Sequence, residues 1–359
     1  MNHYKRKTLI WLIAGLALVA AVFFGLRQDA GLYSKPVGQV VAITKTTRST
    51  EVDSMNNKDV RIHQVARVRL LNTARRHQVV TVQNDYVQSQ AIGFPLRTGQ
   101  QIFLTKNQGD YQLNDTKRDA LLGALLVATV LLLFAFAGRH AWVTLISIAL
   151  NTVVFFWGVN HELTMHGNGP WLLVGGLAVA FTILTVLFII GVRRVAICIM
   201  LATLLSTGLA VALGYGIMTT TNYSGIHLET VKYVTQNPRL IFFAQIVIGS
   251  LGAVLDETSD ISVAIFQLPA RAIDRFKAGM AIGRAVMGPL IAVLFMIFMA
   301  DTFTEMILWL RNGNAIAYTV SWVMGLGFTQ SLISAFGIVL AVPITSGLAA
   351  VLSGRRQHA

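Results

Sequence analysis

The feature that most constrains this chain is a series of apolar segments, each about long enough to cross a lipid bilayer. A helix needs about 20 mostly apolar residues to cross a hydrocarbon core about 30 Å thick. Hydrophobic residues make up 54% of the chain and charged residues only 13%, which excludes an ordinary soluble globular protein. We predict an α-helical polytopic membrane protein with about eight transmembrane helices: Leu9 to Leu26, Ala120 to Ala137, Ala141 to Trp157, Trp171 to Ile190, Val195 to Ile217, Leu240 to Ile265, Ala285 to Ala300 and Phe328 to Leu352.

Basic residues in the short loops predict how these helices are oriented, because Lys and Arg concentrate on the cytoplasmic side. With eight spans, Lys232, Arg239 and Arg311 lie in short loops on one side. The other side collects Lys5, Arg6, Lys7, Arg139, Arg193, Arg194, Arg271, Arg275, Lys277, Arg284, Arg355 and Arg356. We therefore predict that both termini are cytoplasmic. The region Thr302 to Leu326, which contains two tryptophans, is predicted to be an interfacial or re-entrant helix at the outer surface.

The hydrophilic block from Arg27 to Arg118 then faces away from the cytoplasm. Within it, Val60 to Leu70 alternates apolar with polar residues, a period typical of a half-buried strand. Similar runs occur at Val37 to Ile43, Val79 to Val82 and Ile102 to Thr105. This spacing predicts a small antiparallel β-barrel of the OB type. Few aromatic side chains are present to stack on bases, so no nucleic-acid partner is expected. The predicted domains are a transmembrane anchor (1–26), an extracytoplasmic β-rich domain (27–118) and a multipass membrane domain (119–359).

Three carboxylates, Asp256, Glu257 and Asp260, lie near the end of the sixth apolar segment. Asp256 is about 24 Å of helix beyond Leu240, which places it several Å short of the inner boundary of the bilayer. Ionisable groups at such a depth commonly mark functional sites. Spacings of three and four residues can bring the carboxylates to one helix face. Such crowding favours a bound proton or a cation, the latter held with the hydroxyls of Thr258, Ser259 and Ser262.

Two other interpretations of these acids remain open. The side chains can extend to the cytoplasmic interface and simply end the helix. Alternatively, they can form an ion pair with Arg284 or Arg271. No metal ligand set and no cofactor motif is predicted.

Small residues and prolines around the acidic cluster point to close helix packing or to a hinge. They are Gly249, Gly252, Gly279, Gly283, Gly288, Pro289 and Pro343. The spacing of Gly279 and Gly283 is that of the GxxxG motif, which lets two helices approach closely in a membrane. A broken helix lining a polar cavity is the alternative, because both prolines lie inside predicted spans.

Three motifs in the membrane part resemble the YibE/F-like family of bacterial membrane proteins. They are Gly249 to Asp256 (GSLGAVLD), Gly283 to Gly288 (GRAVMG) and Gly337 to Thr345 (GIVLAVPIT). The β-rich domain after the first span is similar to that of the E-type member of the family. The resemblance implies a multipass protein of the bacterial cell membrane with a suggested role in transport. It carries Asp256 and Arg284 over as matching positions. The chain departs from the pattern at Ala285, where an acid is expected, and at Glu257 and Asp260, where small or apolar residues are usual.

The motifs of common enzymes are missing from the sequence. There is no nucleophile elbow, no P-loop and no dinucleotide-binding glycine motif after a strand. His161 and His166 are five residues apart rather than the four of a zinc protease helix. We therefore expect that the protein is not an enzyme.

Two hypotheses about function remain. In the first, the chain is a secondary transporter or permease in which Asp256, helped by Glu257 and Asp260, binds the coupling proton or cation, and Arg284 balances the charge or meets an anionic solute. In the second, it is a scaffold or sensor whose outer domain binds an envelope partner. Its spans would then assemble with a companion subunit of the same family or with further copies of the chain. In both cases the lipid bilayer is the surrounding partner.

Overall fold

The structure is a computed structural model that describes residues 3–52, 54, 56, 58–74, 76–107, 109–162, 169–231 and 237–353, with side chains omitted for residues 3–9 and 162. Several predicted positions therefore lie outside the described residues or side chains: His166 of the histidine pair, and six basic residues used to predict the topology, Lys5, Arg6, Lys7, Lys232, Arg355 and Arg356. The chain divides into two compact units, residues 1–141 and 142–359.

Unit one contains two apolar helices, α1 (His3–Leu26) and α2 (Asp119–Ala137), which precede and follow the β-rich domain. They pack against each other. A Cβ atom placed on Gly123 of α2 would lie 2.4 Å from Cδ1 of Leu26, so a larger residue at this position would require the Leu26 side chain to move.

The β-rich domain is a five-stranded antiparallel sheet. Its strands are β1 (Val37–Val52), β2 (Lys58–Leu70), β3 (Val79–Val87), β4 (Gln101–Asn107) and β5 (Asp110–Thr116). They lie in the order β3-β2-β1-β4-β5. Strand β1 pairs with β2 from Gly38 opposite Leu70 to Val52 opposite Lys58. It pairs with β4 only over Val37–Gln39. The predicted strands are therefore found.

The edge strands β3 and β5 lie near each other, but no hydrogen-bonded ladder joins them in the described part of the domain. A closed barrel requires that ladder. The predicted closure into a barrel is not found, and the sheet is open. Its apolar face is covered by the connection between β3 and β4, because the Leu96 N–H donates to Gln64 Oε1 at 2.9 Å and the Asn84 amide donates to the Phe94 carbonyl at 2.9 Å. Leu96 packs in the core with Val40, Val68, Ile102 and Leu104.

A buried lysine connects the ends of this unit. The ammonium of Lys117, just before α2, lies 2.6 Å from Asp29 and 2.7 Å from Asp119. It also donates to the carbonyl of Leu26 at the end of α1. Tyr33 donates its hydroxyl to Asp119 at 2.6 Å. These contacts fix the first residues after α1 against the first residues of α2.

Unit two is helical. Its helices are α3 (His140–Glu162, which begins in unit one), α4 (Gly169–Ile189), α5 (Arg194–Thr220), α6 (Pro238–Phe266), α7 (Ala272–Arg311), α8 (Ile316–Thr319) and α9 (Gly325–Leu352), with a π-helical turn at Val320–Met324 before α9. Helices α5, α6 and α9 pack against one another, and α7 packs on α6 and α9. This group forms the core of the unit.

Among the described residues, seven helices are long and apolar enough to cross a membrane, and a shorter apolar helix covers Ile10–Leu26. The bounds of one predicted span differ from the structure. The segment Ala285 to Ala300 is the middle of a 40-residue helix, α7, which is about 60 Å long and exceeds the bilayer core. The region Thr302 to Leu326 is not one separate helix, since α7 continues to Arg311 and the chain then turns into α8. The charged residues that flank the apolar centre of α7 hide this continuity in a hydropathy pattern.

Candidate functional site

The acidic cluster lies on α6, and the structure separates its members by burial. Glu257 is completely buried (0% exposed), whereas Asp256 and Asp260 are exposed in the isolated chain. Neither carboxyl oxygen of Glu257 has a hydrogen-bond partner among the described residues. Polar groups buried in proteins are almost always hydrogen-bonded, so Glu257 is the exceptional member of the cluster.

Helical geometry explains why Glu257 faces inward. Val254 and Ile261, three residues before and four residues after Glu257, share its stripe on α6. Val254 packs with Ile338 and Ala341 of α9, and Ile261 belongs to a buried cluster with Val342 of the same helix. The contact between α6 and α9 therefore places Glu257 in the interior of the bundle. Asp256 lies 100° away on the helical wheel and faces outward.

Two of the three predicted hydroxyls of α6, those of Thr258 and Ser262, contact α5. The hydroxyl oxygens of Thr258 and Thr203 lie 2.7 Å apart, and Ser262 donates to the sulfur of Cys198 at 3.6 Å. Ser259, partly buried, donates to the carbonyl of Leu255 on its own helix. Thr258 and Ser262 therefore join two helices.

Other buried hydroxyls of the helix core also have no hydrogen-bond partner among the described residues: those of Ser206 and Thr207 on α5, and that of Thr345 on α9. Helices α5 and α9 are antiparallel, since Gly214 meets Ile333 and Ala210 meets Gly337, which also contacts Val254 of α6. The contacts of Gly337 with Ala210 and Val254 mark the point where the three helices cross. At a rise of 1.5 Å per residue, Glu257 and Thr207 lie about 5 Å from that crossing and Thr345 lies about 12 Å from it, all in the direction of Phe266 at the end of α6. The hydroxyls of Thr207 and Thr345 thus lie on the same side of this crossing as Glu257.

The predicted charge partners form no ion pair with the acidic cluster among the described residues. Arg271 is exposed and lies 3.5 Å from Asp274 of its own segment. Arg284 is exposed, and no salt bridge joins it to an acid within the described ranges. Arg275, which the sequence analysis assigned only to the topology, is buried and donates to the carbonyl of Leu268. The side chain of Arg275 therefore fixes the turn between α6 and α7.

The predicted glycines fall into two groups. Gly279 and Gly283 are buried against α9: a Cβ atom on Gly279 would lie 2.5 Å from Oγ of Ser346, and one on Gly283 would lie 2.4 Å from Cγ1 of Val342. Gly249, Gly252 and Gly288 are exposed and have nothing within 4 Å of such an atom. Helices α7 and α9 continue through Pro289 and Pro343, so neither proline marks a break.

Sequence reasoning missed the partners that α5 and α9 contribute. Thr203, Ser206 and Thr207 recur at the three- and four-residue spacing of one helix face, and this pattern was available in the sequence. A polar stripe on an apolar helix indicates a face directed into a bundle. The lack of a described hydrogen-bond donor for Glu257 could not be predicted from the pattern, because it depends on how α6 meets α9.

No cluster of three His, Cys, Asp or Glu side chains suited to a metal ion occurs in the described part of the chain. The site is thus one buried carboxyl, Glu257, on a stripe of α6 that it shares with Val254 and Ile261.

These features define a multipass α-helical membrane protein with an inserted β-rich domain. A family model described as YibE/F-like protein matches residues 125–355, and a model of the YibE/F family N-terminal domain matches residues 31–117. The chain belongs to the YibE/F-like family. No curated protein and no solved structure matches it.

Proposed function

We propose that this protein is a secondary transporter or permease in which Glu257 binds the coupling proton. The observation that carries this proposal is the complete burial of Glu257 with neither carboxyl oxygen hydrogen-bonded to a described residue. An ionised carboxylate in such a place costs several kcal/mol unless it is paired. A proton removes that cost, and its release creates a charge that a conformational change can expose to water.

A proton suits this site better than a metal cation. Na⁺ or Ca²⁺ would require several oxygen ligands around Glu257. The nearest hydroxyl pair, Thr203 and Thr258, is hydrogen-bonded internally. The exposed acids Asp256 and Asp260 lie on other faces of α6 and are suited to pass protons between Glu257 and water. Arg284, exposed on α7, remains a candidate to balance the charge or to meet an anionic solute.

The location that we propose is the bacterial cell membrane, with both termini in the cytoplasm and residues 27–118 outside. The basic short loops support this orientation. The shorter apolar helix Ile10–Leu26 is the first span in the chain and brings the proposed number of spans to eight. A companion subunit of the family, or a second copy of the chain, is the proposed partner.

We further propose that the outer domain is related to the OB fold. Its strand order is the one that a five-stranded Greek-key barrel would have if it were opened between β3 and β5. The proximity of these two strands supports this relationship.

Infrared difference spectroscopy tests whether Glu257 carries a proton. Spectra of the purified protein at neutral and alkaline pH are compared for wild type, Glu257→Gln and the matched exposed variant Asp256→Asn. We expect a protonated carboxylic acid band in wild type and in Asp256→Asn that is missing in Glu257→Gln. An identical band in all three proteins would remove the basis of the proposal.

A second measurement separates a transporter from a scaffold. The detergent-solubilised protein, in weak buffer with a pH indicator, receives a metabolite extract of bacterial cells. A proton-coupled transporter is expected to exchange protons on binding substrate, and Glu257→Gln is expected to abolish that exchange. If Na⁺ instead raises the thermal unfolding midpoint of wild type but not of Glu257→Gln, the site binds a cation and not a proton.

A further inference from the structure

A polar cavity of about 720 Å³ lies in unit one, between the end of α1 and the β-rich domain. This volume is within the usual range for a small-molecule site. The end of α1 contributes Phe24, and the residues after it contribute Arg27. Strands β1 and β4 contribute Gln39 and Gln101. The turn between β2 and β3 contributes Asn72, Thr73, Arg76 and His77. The cavity therefore begins where the chain leaves an apolar helix.

The charge of this lining is one-sided. Arg27, Arg76 and His77 line the cavity together with carboxamides, and its lining includes no Asp or Glu. The nearby acid Asp29 is paired with Lys117 at 2.6 Å. A cavity with this balance attracts an anion.

The cationic groups differ in how firmly they are held. The guanidinium of Arg27 donates to the Gly99 carbonyl at 2.7 Å, and the Arg27 carbonyl accepts from Gln101 at 2.7 Å. These bonds position Arg27 while leaving other N–H groups of its guanidinium available. The side chains of Arg76 and His77 have no partner among the described residues, and the buried Oγ1 of Thr73 has none either.

The backbone of His77 supplies a separate observation. Its φ is +69°, in the left-handed region that favours glycine. The turn is closed by its N–H, which donates to the Leu70 carbonyl at 2.8 Å. Side chains kept in such a conformation cluster at functional sites. The imidazole thus occupies a position where glycine would fit the backbone better.

We infer that this cavity binds a phosphoryl group. Guanidinium groups match the several oxygens of a phosphate with paired N–H donors, and the hydroxyl of Thr73 and the ring of His77 add further donors. The group can belong to the headgroup of a phospholipid, which lies at the level where an apolar helix ends, or to a soluble phosphate ester. Phe24 supplies an apolar contact beside the charged groups.

The full-length protein in a neutral detergent provides the test. Its thermal unfolding midpoint is recorded against inorganic phosphate, phosphatidylglycerol and, as a lipid without phosphate, diacylglycerol. The variants are Arg76→Gln, His77→Gly and the matched control Arg67→Gln, an exposed arginine of β2 outside the cavity. A ligand that binds the native state raises the midpoint saturably.

We expect phosphatidylglycerol or phosphate to stabilise wild type and Arg67→Gln, and Arg76→Gln to raise the half-saturating concentration on the order of tenfold. His77→Gly is expected to keep or raise the midpoint without ligand, because it relieves the backbone, while weakening the response. A response to phosphatidylglycerol alone identifies a lipid headgroup, and a response to phosphate alone identifies a soluble ester. If Arg76→Gln responds as Arg67→Gln does, or if diacylglycerol stabilises as well as phosphatidylglycerol, the inference is wrong.

Discussion

The hydroxyl oxygens of Thr203 and Thr258 lie 2.7 Å apart in the interior of the helix bundle and join α5 to α6 one residue away from Glu257. Thr258 also donates to the carbonyl of Leu255 at 3.1 Å. A hydroxyl has a single proton, so whenever Thr258 donates to Leu255 it is Thr203 that donates to Thr258. Thr258 thus bonds to Thr203 and to its own helix, while the neighbouring carboxyl of Glu257 has no donor among the described residues.

This direction of donation makes the two threonines unequal. Replacing Thr258 by Val leaves the hydroxyl of Thr203 buried without an acceptor, whereas Thr203→Val leaves Thr258 bonded to Leu255. We expect Thr258→Val to lower the free energy of unfolding by about 1 kcal/mol, and Thr203→Val to cost less. Denaturant unfolding in detergent, completed with the double variant, measures both values. An equal cost for the two single variants would contradict the assigned donor.

The buried carboxyl of Glu257 is expected to lower the free energy of unfolding of the protein. Replacing it by Gln or Met removes a carboxyl that no described residue satisfies, so the free energy of unfolding should stay constant or rise, by up to a few kcal/mol. Asp256→Asn, on the exposed face, should change it by less than about 0.5 kcal/mol. Thermal unfolding of the three proteins checks this prediction. A large loss of stability in Glu257→Gln would mean that the carboxyl is structurally bonded.

The sequence predicted where the acidic cluster lies but not which acid is buried. Periodicity places Asp256, Glu257 and Asp260 within about one helical turn, and the choice among them depends on where α9 crosses α6. That crossing is set by Gly337 against Val254, a contact between residues far apart in the chain. Local pattern carries no information about such a contact.

The strands and the packing of Gly279 and Gly283 could be predicted, because they depend on local sequence. Alternation along β2 and the spacing of small residues on α7 are local properties that survive in the folded protein. The length of α7 was not accessible, because hydropathy registers only the apolar centre of a helix that extends beyond the bilayer.

Gly283 is expected to be intolerant of side chains. A Cβ atom there would lie 2.4 Å from Cγ1 of Val342, so Gly283→Ala must displace α7 from α9 at a cost of about 1–3 kcal/mol. Gly249→Ala is the control, because nothing lies within 4 Å of its added atom. Unfolding midpoints compare the two, and Val342→Ala should restore part of the loss in Gly283→Ala. Equal tolerance of both alanines would contradict the close contact.

Lys117 should be the most sensitive charged residue of unit one. Its side chain is 1% exposed and lies against Asp29 and Asp119, and removing one partner from a buried ion pair costs about 3–5 kcal/mol. We expect Lys117→Met to destabilise the protein by this amount. The exposed Lys106 is the control, and Lys106→Met should change stability by less than about 0.5 kcal/mol. Similar small effects in both variants, measured by denaturant unfolding, would show that the two aspartates are solvated without the lysine.

Tyr33 belongs to the same network, and its ionisation is expected to affect stability at alkaline pH. Its hydrogen bond to Asp119, followed by burial and the negative charge of that carboxylate, raises the pKa of Tyr33 from 10.0 to about 12. A pKa raised in the folded state favours the neutral phenol there, so the contribution of Tyr33 to stability is complete below pH 10 and is lost as the pH rises toward 12. Ultraviolet titration of tyrosinate should show a late step of ionisation, and Tyr33→Phe should remove one tyrosine from it. Tyr86→Phe, which alters a tyrosine outside this network, should leave that late step in place. If Tyr86→Phe removes this tyrosine from the late step, or if Tyr33→Phe does not, the hydrogen bond to Asp119 is not the cause of the late ionisation.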